Sequence, residues 1–411
     1  MPDKNPISRR EFLKSSAVAG GGLASLRRES VETFSNPKAT SSTEASSEGY
    51  YPSPESEDGW CRCRNNEEVR EQANMDPKRL DLIGHVQEVI FQGPWAIVVV
   101  RNGYLVREWY GVPAFSSSTF DIWSCTKSLT ATAFGLLFDG SRNHRLPNDA
   151  QIAMDSRAYD FVPAGHPLSD PRKEKILLRH LLSMTSGIPG ENRGIICLSV
   201  VPGQGEFEFA LGKQRDRFGF SAGTMVADPD RVWDYSDPAY AHLSLIFSQV
   251  ARREIDEVMH ERIFQHIGIQ NYGWNRVGSA GNMGPHTNAE SGMHISARDL
   301  ARFGYLVMRK GRWEGKQLIP QWWANLATRS SQKLNPNYGY GWWVSTAGTN
   351  WQNVPKDAFA LMGYASSRCY IVPSLDLVVV HLGFRPPTAG GGFTFASRGR
   401  FDNRFSKGIK A

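Results

Sequence analysis

The chain has 411 residues, of which 40% are hydrophobic and 21% charged, with a formal net charge of +6. That length suggests two or three domains' worth of chain, and the composition is that of a globular protein, neither disordered nor membrane-embedded. No run approaches the roughly 18 apolar residues of a spanning helix, and no basic cluster interleaved with aromatics makes a case for nucleic acid.

At the start, Ser8-Arg9-Arg10-Glu11-Phe12-Leu13-Lys14 precedes a mild apolar stretch at 17–26 rich in Gly and Ala. Residues 1–26 read as a twin-arginine export signal, with Gly22-Leu23-Ala24 a candidate small-x-small cleavage site; a basic tail is the plainer alternative. Residues 1–24 hold four basic and two acidic side chains, so their removal lowers the net charge to +4. The expected location is periplasmic or extracellular, without stable membrane insertion once the signal is gone. Cys61, Cys63, Cys125, Cys197 and Cys369 are odd in number and irregular in spacing, so they form neither a disulfide framework nor a zinc site. One disulfide after export stays open.

Residues 27–72 are expected as a linker and N-terminal extension, dense in Ser, Glu, Pro and Thr to about 58, with a weak helical candidate at 67–83. Residues 95–101 and 104–110 flank Asn102-Gly103, the strongest short hairpin signal. From about 145 to 290 the pattern turns helical with long loops. An amphipathic helix is expected over 174–183, another begins near Pro238, and 258–267 continues in kind. Ser296-Ala297-Arg298-Asp299 resembles a capping box, opening a helix with Leu300, Phe303, Leu306 and Val307. Strand character returns at 340–344, 368–372 and 375–382. Strands, then helices, then strands predict an α/β (α+β) fold: an antiparallel sheet flanked by helices, built from 73–144 plus 291–386, with a helical domain at 145–290 inserted and a tail at 387–411.

Phe120-Asp121-Ile122-Trp123-Ser124-Cys125-Thr126-Lys127 runs straight into the apolar segment 128–137. Residues three apart share a helix face, so the Ser124 hydroxyl and the Lys127 amine can meet. A serine needs a neighbouring base to become a nucleophile, and burial lowers a lysine toward that role. Ser-x-x-Lys also occurs at Ser35–Lys38 and Ser330–Lys333, the first in a polar tract and the second without a buried helix behind it. A plain surface helix is the competing reading of the motif alone.

Other patterns are weaker. Gly219-Phe220-Ser221-Ala222-Gly223 matches a nucleophile elbow but lacks the strand before it and the helix after it. His260-Glu261 with His266 has the wrong spacing for a zinc-protease helix, and His381 reads as a packed residue. Trp123, Tyr338, Tyr340, Trp342 and Trp343 suit either an apolar acyl pocket or ordinary core packing.

Five stretches in order carry a resemblance: Ser124-Cys125-Thr126-Lys127, His180-Leu181-Leu182-Ser183-Met184-Thr185-Ser186-Gly187, Trp233-Asp234-Tyr235-Ser236-Asp237, Ser296-Ala297-Arg298-Asp299-Leu300 and Ile371-Val372-Pro373-Ser374-Leu375-Asp376-Leu377-Val378-Val379-Val380. Over roughly residues 75–385 the chain resembles the serine β-lactamase and penicillin-binding protein superfamily. The closest likeness is to its class C-like branch of family VIII carboxylesterases, D-aminopeptidases and 6-aminohexanoate-dimer hydrolases. The resemblance implies a β-lactamase/transpeptidase-like fold and an acyl-enzyme mechanism without metal or organic cofactor. Ser124 is the implied nucleophile, Lys127 its proton partner, and Tyr235 the general base and acid, its phenolate made accessible by the lysine ammonium. The backbone N–H groups of Ser124 and Tyr364 form the implied oxyanion hole.

Asp237 stands where the family's Tyr-x-Asn has Asn, and Leu361-Met362-Gly363 where it has Lys-Thr-Gly. Asp237, Trp123, Gly363 and Leu361 are the implied substrate-binding residues. Loss of the basic residue at 361 argues for a neutral small-molecule ester or amide over β-lactams. The alternative is a catalytically weak binding or sensor protein that keeps the fold; the oligomeric state stays open.

Overall fold

Asn102 and Gly103 both adopt positive φ, 52° and 81°, as the tight turn between two right-twisted strands requires. They join β1 (Trp95–Arg101) to β2 (Tyr104–Tyr110), matching the expected hairpin residue for residue. The computed structural model describes residues 50–90, 94–195, 205–279, 283–351 and 354–383. The export-signal reading, Cys197 and the tail at 387–411 lie outside them.

Four strands from the far end of the chain complete the sheet: β3 (Trp343–Val344), β4 (Phe359–Met362), β5 (Arg368–Val372) and β6 (Leu377–Gly383). The spatial order is β3-β4-β5-β6-β1-β2, and each neighbouring pair is antiparallel. β6 is buried at every residue and sets Val378, Val379 and Val380 opposite Val100, Val99 and Val98. A short apolar run bounded by turn residues behaves in this way when both faces are covered.

Three helices matter for the site. α1 (Thr126–Arg142) is buried along almost its whole length, α2 (Asp237–Ala251) packs against it, and α3 (Ala297–Met308) lies on the sheet. The Ser296 hydroxyl caps α3 by accepting from the Asp299 N–H at 3.1 Å. Close approach of α3 to the sheet depends on Gly304, where a Cβ would sit 2.7 Å from Cys369 Sγ and 3.0 Å from Val378.

Several expectations change. The N-terminal extension packs from Tyr50 onward: Arg302, fully buried on α3, donates to the carbonyls of Pro52 and Ser53 and to Glu55, and Trp60 stacks beneath its guanidinium. The helix expected at 67–83 is two, Asn66–Ala73 and Pro77–Ile90, split at Asn74 in the left-handed region. The helix expected at 174–183 is a 3-10 turn, Pro171–Lys175, and a short helix, Leu178–Leu182. Between them the Ile176 carbonyl accepts from Ala158 N–H, and Leu177 bridges Arg157; a tertiary strand-like pairing overrides helix propensity there. Of the strand expected at 340–344 only Trp343–Val344 forms, because Gly341 turns at φ 80° against α1.

Candidate active site

Two pairings fix the approach to Ser124. Phe120 and Asp121 pair with Ile295 and His294, and Ile122 N–H donates to the Met293 carbonyl at 3.0 Å. Asp121 Oδ1 then accepts from Trp123 N–H at 2.8 Å, holding Trp123 at φ 50°. A bulky residue seldom adopts that backbone, and such strain persists only where the surroundings over-determine it. One 3-10 turn, Trp123–Cys125, leads into α1, so Ser124 is half-buried at the mouth of the helix and Lys127 lies inside its first turn.

Lys127 is 1% exposed. Its Nζ donates to Ser124 Oγ at 3.1 Å, to Asp237 Oδ1 at 2.6 Å and to the Glu290 carbonyl at 2.9 Å. Three donors meet three oxygens, the arrangement of an ammonium. The structure thus joins Ser124, Lys127 and Asp237 in one hydrogen-bonded line. Of the other two Ser-x-x-Lys copies, Ser330–Lys333 lies in irregular chain, and Ser35–Lys38 lies outside the described residues.

Tyr235 arrives on a loop clamped by Met184 of the second matching stretch and by the residues just after that stretch. Asp234 accepts from the backbone N–H groups of Gly190 and Asn192, Asp234 N–H donates to the Met184 carbonyl, and Ser236 caps α2 while its hydroxyl donates to the Pro189 carbonyl. Gly190 is obligatory, since a Cβ there would stand 2.1 Å from the Tyr235 carbonyl oxygen. The Tyr235 ring lies 5.0 Å from Lys127 Nζ, and the Ser124 side chain is near enough to its phenol to pull it slightly down. Burial pushes this phenol up to about 12, outweighing the downward pull of Lys127. The accessible phenolate expected from the sequence is therefore corrected: Tyr235 rests as a neutral phenol.

The sheet edge supplies the opposite wall. Gly363 follows β4 directly, and a Cβ there would lie 2.2 Å from the Ile122 carbonyl oxygen and 3.1 Å from the Cys125 nitrogen. Only glycine lets the edge come this close to the nucleophile turn. Trp123 and Tyr364 meet edge to face, centroids 5.4 Å apart, which brings the Tyr364 ring against the residue that precedes Ser124. Leu361 corrects another expectation. It is fully buried, in register with equally buried Cys369, and so packs the core rather than touching substrate. The aromatic set divides: Tyr338 and Trp343 surround Tyr235, whereas Trp342 stacks on Phe303 and Tyr340 on Trp323 in the core.

Sequence reasoning missed Glu290. It sits in a turn held by Asn288 Oδ1, which accepts from Glu290 N–H and Ser291 N–H, and by the Ala289 carbonyl, which accepts from Thr130 on α1 at 2.8 Å. Burial, and then the nearby Asp237, push the Glu290 carboxyl up to about 8. A lone glutamate in an Asn-Ala-Glu-Ser turn carries no periodic or motif signal that could have singled it out.

The competing motifs remain outside this centre. Residues 219–223 form an irregular loop, His260 bonds Tyr272, and buried His381, its imidazole pushed down to about 4 by burial, faces the Ser366 carbonyl. Among the described residues no His/Cys/Asp/Glu group is arranged to hold a metal ion, and Cys61, Cys63, Cys125 and Cys369 are free thiols.

A family model described as Beta-lactamase matches residues 86–391. An uncharacterized protein of Alkalihalophilus pseudofirmus is 24% identical over 236 residues, 52% of this chain and 62% of that protein; the matched region thus spans less than two thirds of that relative. Among solved structures, a Bacillus anthracis protein named for a 6-aminohexanoate-dimer hydrolase superposes with TM-score 0.58 at 19% identity, covering 86% of this chain and 87% of that one. EstCE1, a hydrolase with promiscuous acyltransferase activity, gives TM-score 0.58 at 15% identity over 81% and 98%.

Proposed function

Because the chain belongs to the beta-lactamase family, we propose that it is a serine hydrolase that cleaves small esters or amides through an acyl-Ser124 intermediate. The observation that carries the reading is the line from Ser124 Oγ through Lys127 Nζ to Asp237 Oδ1, 3.1 and 2.6 Å long.

At pH 7 a phenol titrating near 12 is ionised to roughly one part in 10⁵, a cost of about 7 kcal/mol. Tyr235 is thus a poor resting base, and the proton of Ser124 has a better route. As Ser124 Oγ attacks the carbonyl, its proton passes to Lys127 while Lys127 hands one to Asp237. Collapse of the tetrahedral intermediate breaks the scissile bond, and Tyr235 gives its proton to the leaving oxygen or nitrogen. In deacylation the attacking water gives its proton to the Tyr235 phenolate, and Ser124 leaves with the proton stored on Asp237 and Lys127. The backbone amides of Ser124 and Tyr364 hold the oxyanion, each such donor typically worth about 3 kcal/mol. Trp123 and Gly363 shape the acyl site between them. By the sequence resemblance, Leu361 leaves no cation where the family's Lys-Thr-Gly begins, which favours a neutral acyl group.

Incubation with a fluorophosphonate and p-nitrophenyl esters, followed by peptide mapping, tests the reading. Adduct on Ser124 that disappears in Ser124→Ala is expected; an unlabelled protein with no turnover favours the sensor alternative.

A further inference from the structure

The loop that carries Gly219-Phe220-Ser221 holds no nucleophile elbow, but its tip is built for another purpose. Phe218 is 38% exposed and Phe220 46%. Single exposed apolar residues are ordinary on a protein surface. Among the described residues, these are the only two exposed large apolar side chains within five residues of each other. The exposed charged side chains of 213–220 are Lys213, Arg215 and Arg217, all cations, whereas Asp216 is buried. Asp216 satisfies the tip from within. Its Oδ1 accepts from Phe218 N–H at 2.9 Å and from Phe220 N–H at 2.8 Å, and its carbonyl accepts from Gly219 N–H at 3.0 Å. Asp216 N–H donates to the Phe220 carbonyl, and Arg215 donates to the Gly219 carbonyl at 2.7 Å. Water usually serves the backbone of a surface loop. Three successive N–H groups bonded internally remove most of the cost of taking such a tip out of water. The tip also stands beside the support of the catalytic loop: a Cβ at Gly194 would lie 3.8 Å from the Phe220 ring. Gly194 N–H donates to the Glu191 carbonyl, and Glu191 N–H donates to the Tyr235 carbonyl at 2.8 Å.

We propose that this tip docks the protein on an anionic lipid surface: Phe218 and Phe220 enter the interface while Lys213, Arg215 and Arg217 meet the headgroups. Aromatic rings set among cations match the boundary between acidic headgroups and acyl chains. A polyanion without an apolar phase has no use for the rings. A symmetric pairing of two tips sets three cations against three of the same sign. Docking is peripheral and reversible, because two rings bury far less apolar surface than a spanning helix. Its bearing on substrate rests on the hydrolase reading above: the docked protein takes esters from the lipid phase, beside the turn that supports Tyr235.

The experiment is co-sedimentation of the full chain with vesicles of phosphatidylcholine, alone or mixed with phosphatidylglycerol. Mixed vesicles are expected to bind about tenfold more tightly or better, with the difference shrinking at high salt. Phe218→Ser together with Phe220→Ser is expected to weaken binding to mixed vesicles by about tenfold or more, and Lys213→Gln together with Arg217→Gln by about tenfold. Trypsin cleavage after Arg215 and Arg217 slows on mixed vesicles, a readout of the native tip that needs no substitution. Binding that the phenylalanine pair leaves unchanged overturns the proposal, and so does equal cleavage of bound and free protein. A wild type that self-associates through the tip and ignores vesicles overturns it as well. A long-chain p-nitrophenyl ester carried in mixed vesicles is expected to turn over about tenfold more slowly in the phenylalanine variant, with soluble p-nitrophenyl acetate within about twofold of wild type. Equal turnover of the vesicle-borne ester overturns the substrate claim. Tip-dependent binding by a protein that fluorophosphonate does not label upholds the docking and removes the hydrolase reading; a labelled protein that ignores vesicles removes the docking alone.

Discussion

Two lysines in this molecule are buried to the same degree and are held in opposite ways. Lys127 is 1% exposed and Lys173 0%. Lys127 meets a carboxylate at 2.6 Å, a hydroxyl and a carbonyl. Lys173 donates to the Leu211 carbonyl at 3.1 Å and lies 5.9 Å over the Tyr159 ring, and burial pushes its amine down to about 8 against a weaker opposing pull from Asp170. The lowered proton affinity that burial alone predicts for position 127 is thus found at 173. Desolvation is common to both; the partner decides which of them is wired to a hydroxyl and a carboxylate.

Breaking the site half of the comparison gives the largest effect. Lys127→Met is expected to lower Ser124 labelling by at least about a thousandfold. It also leaves Asp237 buried without its cation, a loss of about 3–5 kcal/mol by denaturant unfolding. Asp237→Asn sharpens the point: it removes the proton acceptor but keeps a hydrogen-bonding partner for Lys127. Acylation is expected to slow about a hundredfold, with a smaller stability loss than in Lys127→Met; a rate within twofold of wild type removes Asp237 from the proton line.

Tyr235→Phe is expected to slow the chemical step by about a hundredfold as well, measured as single-turnover release of p-nitrophenol. The effect grows with poorer leaving groups, because the phenol acts as their acid. Nitrocefin turnover is expected to be negligible beside ester turnover, and rapid hydrolysis contradicts the argument from Leu361.

The smallest effect breaks the other half. Lys173 titrates near 8 in the native protein and near 10.4 when unfolded. Between those values the unfolded chain binds more protons, so stability rises with pH. Holding Lys173 charged therefore costs about 3 kcal/mol below pH 8 and progressively less toward pH 10.5. Lys173→Met is expected to be more stable than wild type at pH 7 and to lose that advantage by pH 10 in urea titrations, with Ser124 labelling unchanged.

The sequence by itself determined a good deal. Asn102-Gly103 between β-rich runs can only turn as a hairpin, and Ser296 three residues before Asp299 can only cap. Ser124 and Lys127 must meet once 126–142 is helical. These are local rules of backbone geometry and spacing, and the fold leaves them intact. Elsewhere contacts distant in sequence took over. The pairing of 157–158 with 176–177 broke an amphipathic helix, and Arg302 drew residues 52–55 out of an expected linker. Close packing made Gly363 and Gly190 obligatory, and burial turned Leu361 from a substrate contact into core. The same burial raised Tyr235 above the range of a resting base and brought Glu290, 163 residues from Lys127 along the chain, to the same ammonium. Proton affinities depend on desolvation and on charges brought in from other segments, and those quantities exist only once the chain has folded.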